Sequence, residues 1–506
     1  MTLLKIQRIM TNEIAMRAFL SRPPEPPSKV LLVDPNQSIY IGLTNIFKVP
    51  FAWSSMNLTN PHIAVVGITG AGKSYFVKTF LIRASYIWNT NAVIIDWAGE
   101  YKAWVRQSGG TIVSLGKGDS INIMDVAGMK PIDRVKQIIN SLDIITDISL
   151  YPEQRRLTEE AVEQAYVNAG FNISVKAPDG KDAPTLKDVI FLLQEKLEEN
   201  TYEYPAELEN AIYRLRQFAR EGEDYFARKS TINIGKLAVS GLVSIDLSAL
   251  PDEKFRALAA LFILQTLKEI MRAEGWSEVK GLKTMVVLDE AWKVASDEKS
   301  DAITIIREGR KYQFGLLVAS QSPLDINEII FSNVGTVFIL AIKFEKFLNY
   351  LQGSLNFSQY IRSEISKFGV GQAAVVMSFQ TSIKFPGTFI LQKIQGEEPL
   401  LVYTINMDTV LTDSEIAAKL IQNKYSFEQE ELKNRLYEYG LGDIAITNLF
   451  KLMDTQGRTI DVIELVNALK NNNVSSSNIV LFFKGLGIED VIITRIISKS
   501  NGAMNV

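Results

Sequence analysis

The stretch that decides the fold is HIAVVGITGAGKSYFVKTF, residues 62–80. It begins as an apolar strand, passes through the glycine-rich turn GITGAGKS at 67–74, and continues with the spacing of a helix. The turn matches G-x-x-x-x-G-K-[ST], in which main-chain N–H groups surround the phosphates of a nucleotide. In this pattern Lys73 reaches the β- and γ-phosphates, and the Ser74 hydroxyl binds Mg²⁺. The sequence therefore predicts a phosphate-binding loop between a strand and a helix.

ATP and Mg²⁺ are the cofactors that this loop predicts. The predicted nucleotide-binding residues are those of the loop and of the start of the following helix: Gly67, Thr69, Gly70, Ala71, Gly72, Lys73, Ser74 and Tyr75.

A carboxylate pair closes a later apolar run, TMVVLD at 284–289. Asp289 ends the run, where it is placed to hold Mg²⁺ together with Ser74. Glu290 follows directly, and a glutamate in that position can orient and deprotonate the attacking water. The alternative is a solvated acidic pair that caps the next helix.

Three more polar residues are predicted to contribute to catalysis. Gln321 ends the run GLLVAS, where its amide can touch the γ-phosphate or the water. Arg310, three residues after Arg307 on one predicted helix face, can act as an arginine finger in a neighbouring subunit. Glu100, in DWAGEY after the strand AVIID, can polarise the water. The alternatives are solvated helix arginines and a loop acid satisfied by backbone. His62, the single histidine, is interpreted as a structural residue.

The pattern along the chain predicts an α/β fold, since apolar strands alternate with helices. Residues 1–28 are predicted to form a helix and a proline-rich linker. Residues 29–60 are predicted to form a small N-terminal β layer with strands at 29–34, 38–43 and 47–53. A P-loop core with a mainly parallel sheet is expected over 61–125 and 236–402. Its eight predicted strands are 62–67, 92–96, 111–115, 242–247, 284–289, 315–320, 336–342 and 372–377. An all-α insertion is expected over 126–235, because only helical patterns occur there. Residues 403–506 read as a helical C-terminal domain.

Composition excludes several classes of chemistry. The chain has no cysteine, one histidine, 54 Lys+Arg and 57 Asp+Glu in 506 residues. Disulfides, zinc–thiolate sites and a histidine metal cluster are therefore excluded. The net charge of −3 gives no basic footprint, so any DNA contact must be local. Without a long apolar run or signal peptide, the chain is expected to be cytoplasmic, with a peripheral place at a membrane complex left open.

The motifs together resemble those of the HerA and FtsK superfamily of P-loop motors. They are NPHIAVVGITGAGKS, DWAGEY, VVLDEAW, and REGRKYQFG followed by LLVASQSP, in that order. The resemblance covers about 38–402. It is strongest to archaeal HerA-type ATPases and to the ATPases of conjugative type IV secretion systems. It implies a RecA-like core, a hexameric ring and the pumping of DNA through a pore by ATP hydrolysis. It also implies the roles given above for Lys73, Asp289, Glu290, Gln321 and Arg310.

Two functions stay open on the sequence. The first is a hexameric, helicase-like DNA translocase, with a membrane channel or a nuclease as a further partner. The second is an ATPase that powers protein secretion or pilus assembly. An ABC- or SMC-type switch is disfavoured because an LSGGQ-like signature is absent. Possible DNA contacts are the basic turn Gly116-Lys117-Gly118 and two Gly-Leu-Gly turns at 440–442 and 485–487, although surface turns and helix caps explain them too.

Overall fold

The structure is a computed structural model. It describes residues 26, 31 and 37–401, apart from 47, 56–57, 127, 179, 200–201, 274–281, 291–293, 295, 379–387 and 395–399, together with parts of 410–500. The predicted N-terminal helix, the proline-rich linker and the predicted strand at 29–34 lie almost entirely outside these residues. Two compact units result: 1–411 without 107–109, and 412–506 with 107–109.

An eleven-stranded sheet runs through the described part of the first unit, in the order β2-β1-β11-β10-β9-β3-β8-β7-β4-β6-β5. The seven strands from β9 to β5 are parallel, and the other four add to the edge in antiparallel fashion. The strands are β1 Ile39–Thr44, β2 Pro50–Trp53, β3 Ile63–Val66, β4 Asn91–Asp96, β5 Thr111–Ser114, β6 Leu242–Asp246, β7 Thr284–Asp289, β8 Phe314–Ser320, β9 Thr336–Ile339, β10 Ala373–Met377 and β11 Thr388–Ile394.

The predicted α/β fold with a mainly parallel sheet is confirmed. All eight strands predicted for the core form, because central parallel strands are buried on both faces and so read as continuous apolar runs. β3, β7 and β8 are buried along their whole length. The two strands predicted ahead of the phosphate loop also form, and they extend this same sheet through β11.

Helices follow most of the parallel strands and cover the sheet. The first, Lys73–Trp88, packs Phe76 against Phe338 of β9 with ring centroids 4.3 Å apart. The other helices of this unit with six or more residues are Lys102–Gln107, Pro131–Thr146, Pro152–Asn168, Leu186–Glu198, Pro205–Arg216, Glu253–Ala273, Asp301–Glu308, Glu328–Asn333, Glu345–Leu355 and Gln359–Ile365.

An all-helical segment interrupts the sheet between β5 and β6. Its helices Pro131–Thr146, Pro152–Asn168, Leu186–Glu198 and Pro205–Arg216 each have an apolar face, and three of them begin with proline in the first turn. Proline is favoured there because its missing N–H has no partner within the helix. No strand occurs among the described residues of 120–233.

The second unit is helical and has its own apolar core. Its helices are Gln429–Glu438, Asp443–Leu452, Val462–Asn471 and Ser476–Gly485, with short paired strands at Phe427–Glu428 and Thr459–Ile460. Leu436, Leu465 and Phe483 lie in this core, fully buried. Of the two Gly-Leu-Gly turns, Gly440 and 486–487 lie outside the described residues. Among the helices that the structure describes, none has both the length and the apolar character needed to cross a membrane.

A candidate nucleotide site at the carboxyl edge of the sheet

The phosphate loop joins β3 to the helix Lys73–Trp88, as the sequence predicts for a strand-turn-helix unit. Gly70 and Gly72 have φ values of 79° and 103°, a region that side chains other than glycine rarely adopt. A Cβ atom on Gly67 would lie 2.8 Å from Cβ of Leu340, so this glycine allows the close approach of β9. The glycines therefore shape a loop whose N–H groups surround a phosphate chain at a helix N-terminus.

Lys73 lies buried within this loop. Its Nζ donates hydrogen bonds to the carbonyl oxygens of Gly67 at 2.9 Å and Ile68 at 3.3 Å. Burial lowers the pKa of Lys73, and the nearby carboxylates of Asp289, Glu290 and Glu100 oppose this change. The ammonium group of Lys73 therefore lies among the acidic side chains of the same site.

The acidic groups come together because three neighbouring strands end in register. Asp96 of β4 pairs with Asp289 of β7 on one side and with Asp246 of β6 on the other. Burial raises the pKa of Asp246, but hydrogen bonds from Ser248 and the ion pair with Lys102 at 2.9 Å together hold it below its usual value. Burial raises the pKa of Asp289 to about 6, and the charges of Glu290 and Glu100 add to the increase.

Tyr101 is a site residue that the sequence analysis did not identify. Its buried hydroxyl donates a hydrogen bond of 2.7 Å to Oδ2 of Asp289, which opposes the rise in the pKa of that carboxyl. Asp96 fixes the turn that carries Tyr101 by accepting main-chain N–H bonds from residues 99, 100 and 101 at 2.8–3.0 Å. The run DWAGEY contains both residues, but the contact with Asp289 depends on the pairing of β4 with β7.

The side chains fit a hard divalent cation. The second oxygen of Asp289, Oδ1, is buried and has no hydrogen-bond partner. The Ser74 hydroxyl donates a hydrogen bond of 2.8 Å to Oε2 of Glu100, so Glu100 lies against the loop as expected. An orphaned carboxylate oxygen, a hydroxyl and a second carboxylate are the oxygen donors that Mg²⁺ prefers.

Glu290 and Gln321 are linked by their side chains. The Gln321 amide Nε2 donates a hydrogen bond to Oε1 of Glu290. The amide oxygen of Gln321 accepts a hydrogen bond of 2.7 Å from the Thr69 hydroxyl. Gln321 therefore connects the phosphate loop to the glutamate after β7. Glu290 has a φ of 57°, and its N–H donates to the carbonyl of Ala319 on β8 at 3.1 Å. A left-handed backbone at a glutamate is unfavourable and points to a functional constraint.

Arg310 lies at the opposite edge of the sheet from this site. It occupies a 3₁₀ turn, Gly309–Tyr312, so the prediction that it shares a helix face with Arg307 is wrong: the helix ends at Glu308, where the chain turns into β8. Its Nη1 donates a hydrogen bond of 2.5 Å to the carbonyl of Thr59, ahead of β3. β8 is seven residues long, which separates Arg310 from Gln321 by about 20 Å. Both Arg307 and Arg310 are exposed.

His62 is buried at the amino edge of the sheet, the edge where Arg310 lies. Its Nδ1 accepts a hydrogen bond of 3.0 Å from the N–H of Leu316 on β8. Burial lowers the pKa of His62 to about 3, against the opposing effect of the Ile306 main chain. The imidazole is therefore neutral and structural, as interpreted from the sequence. The turn at 116–118 follows β5 with Lys117 exposed, and its two glycines have positive φ values.

Comparison with known proteins supports the same interpretation. The family model "Helicase HerA, central domain" matches residues 39–267. The chain is 26% identical over 375 residues to the "DNA double-strand break repair helicase HerA" of Pyrococcus furiosus, which covers 63% of each chain. It is 23% identical over 357 residues to the protein of that name from Sulfolobus acidocaldarius, covering 68% of this chain and 67% of the relative. The chain thus spans about two thirds of the length of these relatives.

One more relative and one solved structure also match the chain. The "DNA import protein CedB" of Sulfolobus acidocaldarius is 21% identical over 373 residues, covering 71% of this chain and 56% of that protein. The structure of VirB4 of Thermoanaerobacter pseudethanolicus has a TM-score of 0.61 at 21% identity, covering 72% of this chain and 98% of that one, and shows the shared fold. The phosphate loop, the paired carboxylates and the match to the HerA central-domain model together support a P-loop ATPase of the HerA and FtsK type.

Proposed function

We propose that this chain is a motor that hydrolyses ATP and uses the energy to move DNA. The observation that best supports ATP hydrolysis is that four side chains converge at one edge of the sheet: Lys73, Ser74, Asp289 and Glu290. The names of the HerA and CedB relatives, which describe DNA repair and DNA import, support DNA as the substrate. The shared feature of these roles is the handling of DNA rather than a particular pathway.

The residues divide the chemistry between them. Ser74 and Asp289 would hold Mg²⁺, which would supply positive charge to the phosphate oxygens. Lys73 exchanges its carbonyl partners for the β- and γ-phosphates. Glu290 accepts the proton of the attacking water, and Gln321 keeps the glutamate and the loop at a fixed separation. Tyr101 holds one oxygen of Asp289, so that the other oxygen is directed to the metal.

The test of the base is the substitution Glu290→Gln. It keeps the shape of the side chain and removes its basicity, so we expect ATP binding to persist while turnover falls at least about 100-fold. Glu195→Gln is the matched control, because Glu195 is exposed on the helix Leu186–Glu198. Turnover close to that of the unmodified protein would exclude Glu290 as the base.

A ring of six subunits is part of the proposal, and Arg310 would then complete the site of a neighbour. Arg310 lies about 20 Å from the nucleotide site of its own chain and is exposed. Arg310→Ala and Lys73→Ala proteins should each be inactive, whereas mixed rings should contain some interfaces with both residues intact. The recovery of ATPase activity on mixing tests this role. If mixed rings form and stay inactive, Arg310 does not act across an interface.

DNA contact is proposed to be local, because the chain is close to neutral. A few lysine or arginine residues that line a pore would bind phosphates, and affinity should then fall with salt by a slope of about one per phosphate. The measurement is ATP turnover and DNA binding at several salt concentrations, with the oligomeric state followed in parallel. Turnover that ignores every DNA tested would favour a protein substrate, as in a secretion or pilus ATPase.

The cellular setting remains part of the proposal as well. We place the motor in the cytoplasm, with either a membrane channel or a nuclease as the partner that receives or processes the DNA. Co-purification of the tagged chain from its native cells with one of these two classes of protein would distinguish the settings.

A further inference from the structure

A glycine-rich turn from another part of the sheet is attached to the phosphate loop. This turn, Gly369-Val370-Gly371-Gln372, precedes β10. The Gly371 N–H donates a hydrogen bond of 3.2 Å to the carbonyl of Ala71, and the Gly371 carbonyl accepts one of 2.6 Å from the N–H of Ile394 on β11. The turn is therefore held between the phosphate loop and an antiparallel strand.

Val370, at the tip of this turn, is an apolar side chain exposed to solvent. It is 76% exposed. Its Cγ1 lies 4.0 Å from the position that a Cβ atom on Gly72 would occupy. Gly72 directly precedes the helix Lys73–Trp88, so Val370 stands at the rim of the phosphate loop.

The path of a bound nucleotide brings its base to this rim. The loop N–H groups hold the α- and β-phosphates, and Lys73 holds the β- and γ-phosphates, so the ribose and base must leave the loop past its edge. A base has two large apolar faces, and an exposed aliphatic side chain gains by covering one of them. We propose that Val370 forms a base-binding subsite, packing against the purine of the nucleotide; this inference rests on the nucleotide-binding part of the proposed function.

The turn is shaped in advance for such a contact. Gly371 has a φ of 81°, which a residue with a side chain rarely adopts. The Gly369 N–H donates a hydrogen bond of 2.7 Å to the Gln372 side chain, which closes the turn on itself. Because its backbone is fixed on both sides, Val370 meets the base without an ordering cost for the loop.

The chemistry of the subsite determines its selectivity. A valine side chain offers apolar contact and no hydrogen bond, so it recognises a flat ring rather than a particular pattern of donors and acceptors. The contact should strengthen nucleotide binding by about tenfold, the value expected for partial burial of one aliphatic side chain. It should add nothing to the binding of a phosphate chain that lacks a base.

The experiment compares two ligands in the presence of Mg²⁺. One is a non-hydrolysable ATP analogue and the other is inorganic tripolyphosphate, and calorimetry on the full chain gives both affinities. Val370→Asn should weaken binding of the analogue about tenfold and leave tripolyphosphate unchanged. Val370→Ile should restore analogue binding, because it keeps the apolar contact. Val239→Asn is the control, since Val239 is 54% exposed and lies before β6.

Each outcome has one interpretation. An unchanged analogue affinity in Val370→Asn overturns the subsite. Equal losses for both ligands overturn it too, because Val370 would then act through the shape of the phosphate loop. If the unmodified protein binds neither ligand, the nucleotide-binding part of the proposed function fails together with this inference. DNA stimulation of turnover is measured separately, so its absence would count against the motor and not against the subsite.

Discussion

The single histidine offers a prediction with a known sign and size. In the folded chain His62 is buried and neutral, with a pKa near 3, whereas its ordinary value is 6.5. To take up a proton, Nδ1 would have to give up the hydrogen bond from Leu316, because two N–H donors would then face each other. The unfolded chain meets no such obstacle and binds the proton below about pH 6.5.

The pH dependence follows from this difference. Since the unfolded chain binds more protons, stability falls as pH decreases below 6.5 and continues to fall to about pH 3. The slope reaches about 1.4 kcal/mol per pH unit, and the loss between pH 7 and pH 4.5 is about 2–3 kcal/mol. The full effect over the whole range is about 5 kcal/mol.

The assay is urea unfolding at several pH values, followed by tryptophan fluorescence. All six tryptophans lie at or before residue 292, so the signal reports on the first unit. His62→Phe and His62→Gln should both lack the histidine contribution to the acid slope. At pH 7, His62→Phe should also be about 1–3 kcal/mol less stable than the unmodified chain, because the Leu316 N–H is left without an acceptor.

The comparison isolates the histidine. Carboxylates such as Asp289 titrate in both proteins, so their effects cancel when the variant is subtracted from the unmodified chain. Between pH 7 and pH 4.5, the free energy of unfolding of the unmodified chain should fall by about 2–3 kcal/mol more than that of either variant. A difference that stays constant over this interval would refute the assignment of His62 as a buried neutral group.

Two further pairs of substitutions probe the site and the packing of the first unit. Tyr101→Phe leaves Oδ2 of the buried Asp289 carboxylate unpaired, so in EDTA at pH 7 it should lower the free energy of unfolding by about 1.5–3 kcal/mol. Tyr166→Phe loses only a hydrogen bond to the carbonyl of Met124 and should lower the free energy of unfolding by about 1 kcal/mol. Gly309→Ala should lower the free energy of unfolding by about 1–3 kcal/mol, because the new Cβ would lie 2.7 Å from the Phe314 carbonyl oxygen. Gly353 lies on a helix with open space around it, so Gly353→Ala should raise the free energy of unfolding by about 0.5–1 kcal/mol. Chemical denaturation measures all four, and equal effects within either pair would contradict the reasoning.

Much of the sheet could be predicted because a central strand that is buried on both faces has a continuous run of apolar residues. β7 reads TMVVLD, and all six residues are buried. β11 was harder to predict, since Gln392 and Lys393 interrupt its apolar run and are exposed near the antiparallel edge. The order of the strands could not be predicted from such runs. In particular, β5 lies at the far edge although it follows β4 in the chain, because β6 enters between them.

The site divides in the same way. The phosphate loop and the pair Asp289 and Glu290 could be predicted because each motif is local in the chain. The bond from Tyr101 to Asp289 spans 188 residues, and it exists only because β4 and β7 end in register. The position of Arg310 depends on where the preceding helix ends. Gly309, which packs closely against β8, is compatible with a longer helix as well as with a turn, so the sequence alone did not locate that end.

The backbone of Glu290 supports a functional role for this residue independently of any relative. A chain chosen for stability alone would place glycine at a φ of 57°, where a glutamate adds strain of about 1 kcal/mol or more. Glu290→Gly would therefore relieve strain at the same position where it removes the proposed base. At this one residue the requirement of the proposed reaction and the requirement of a stable fold therefore conflict, and the side chain that is present is the one that the reaction needs.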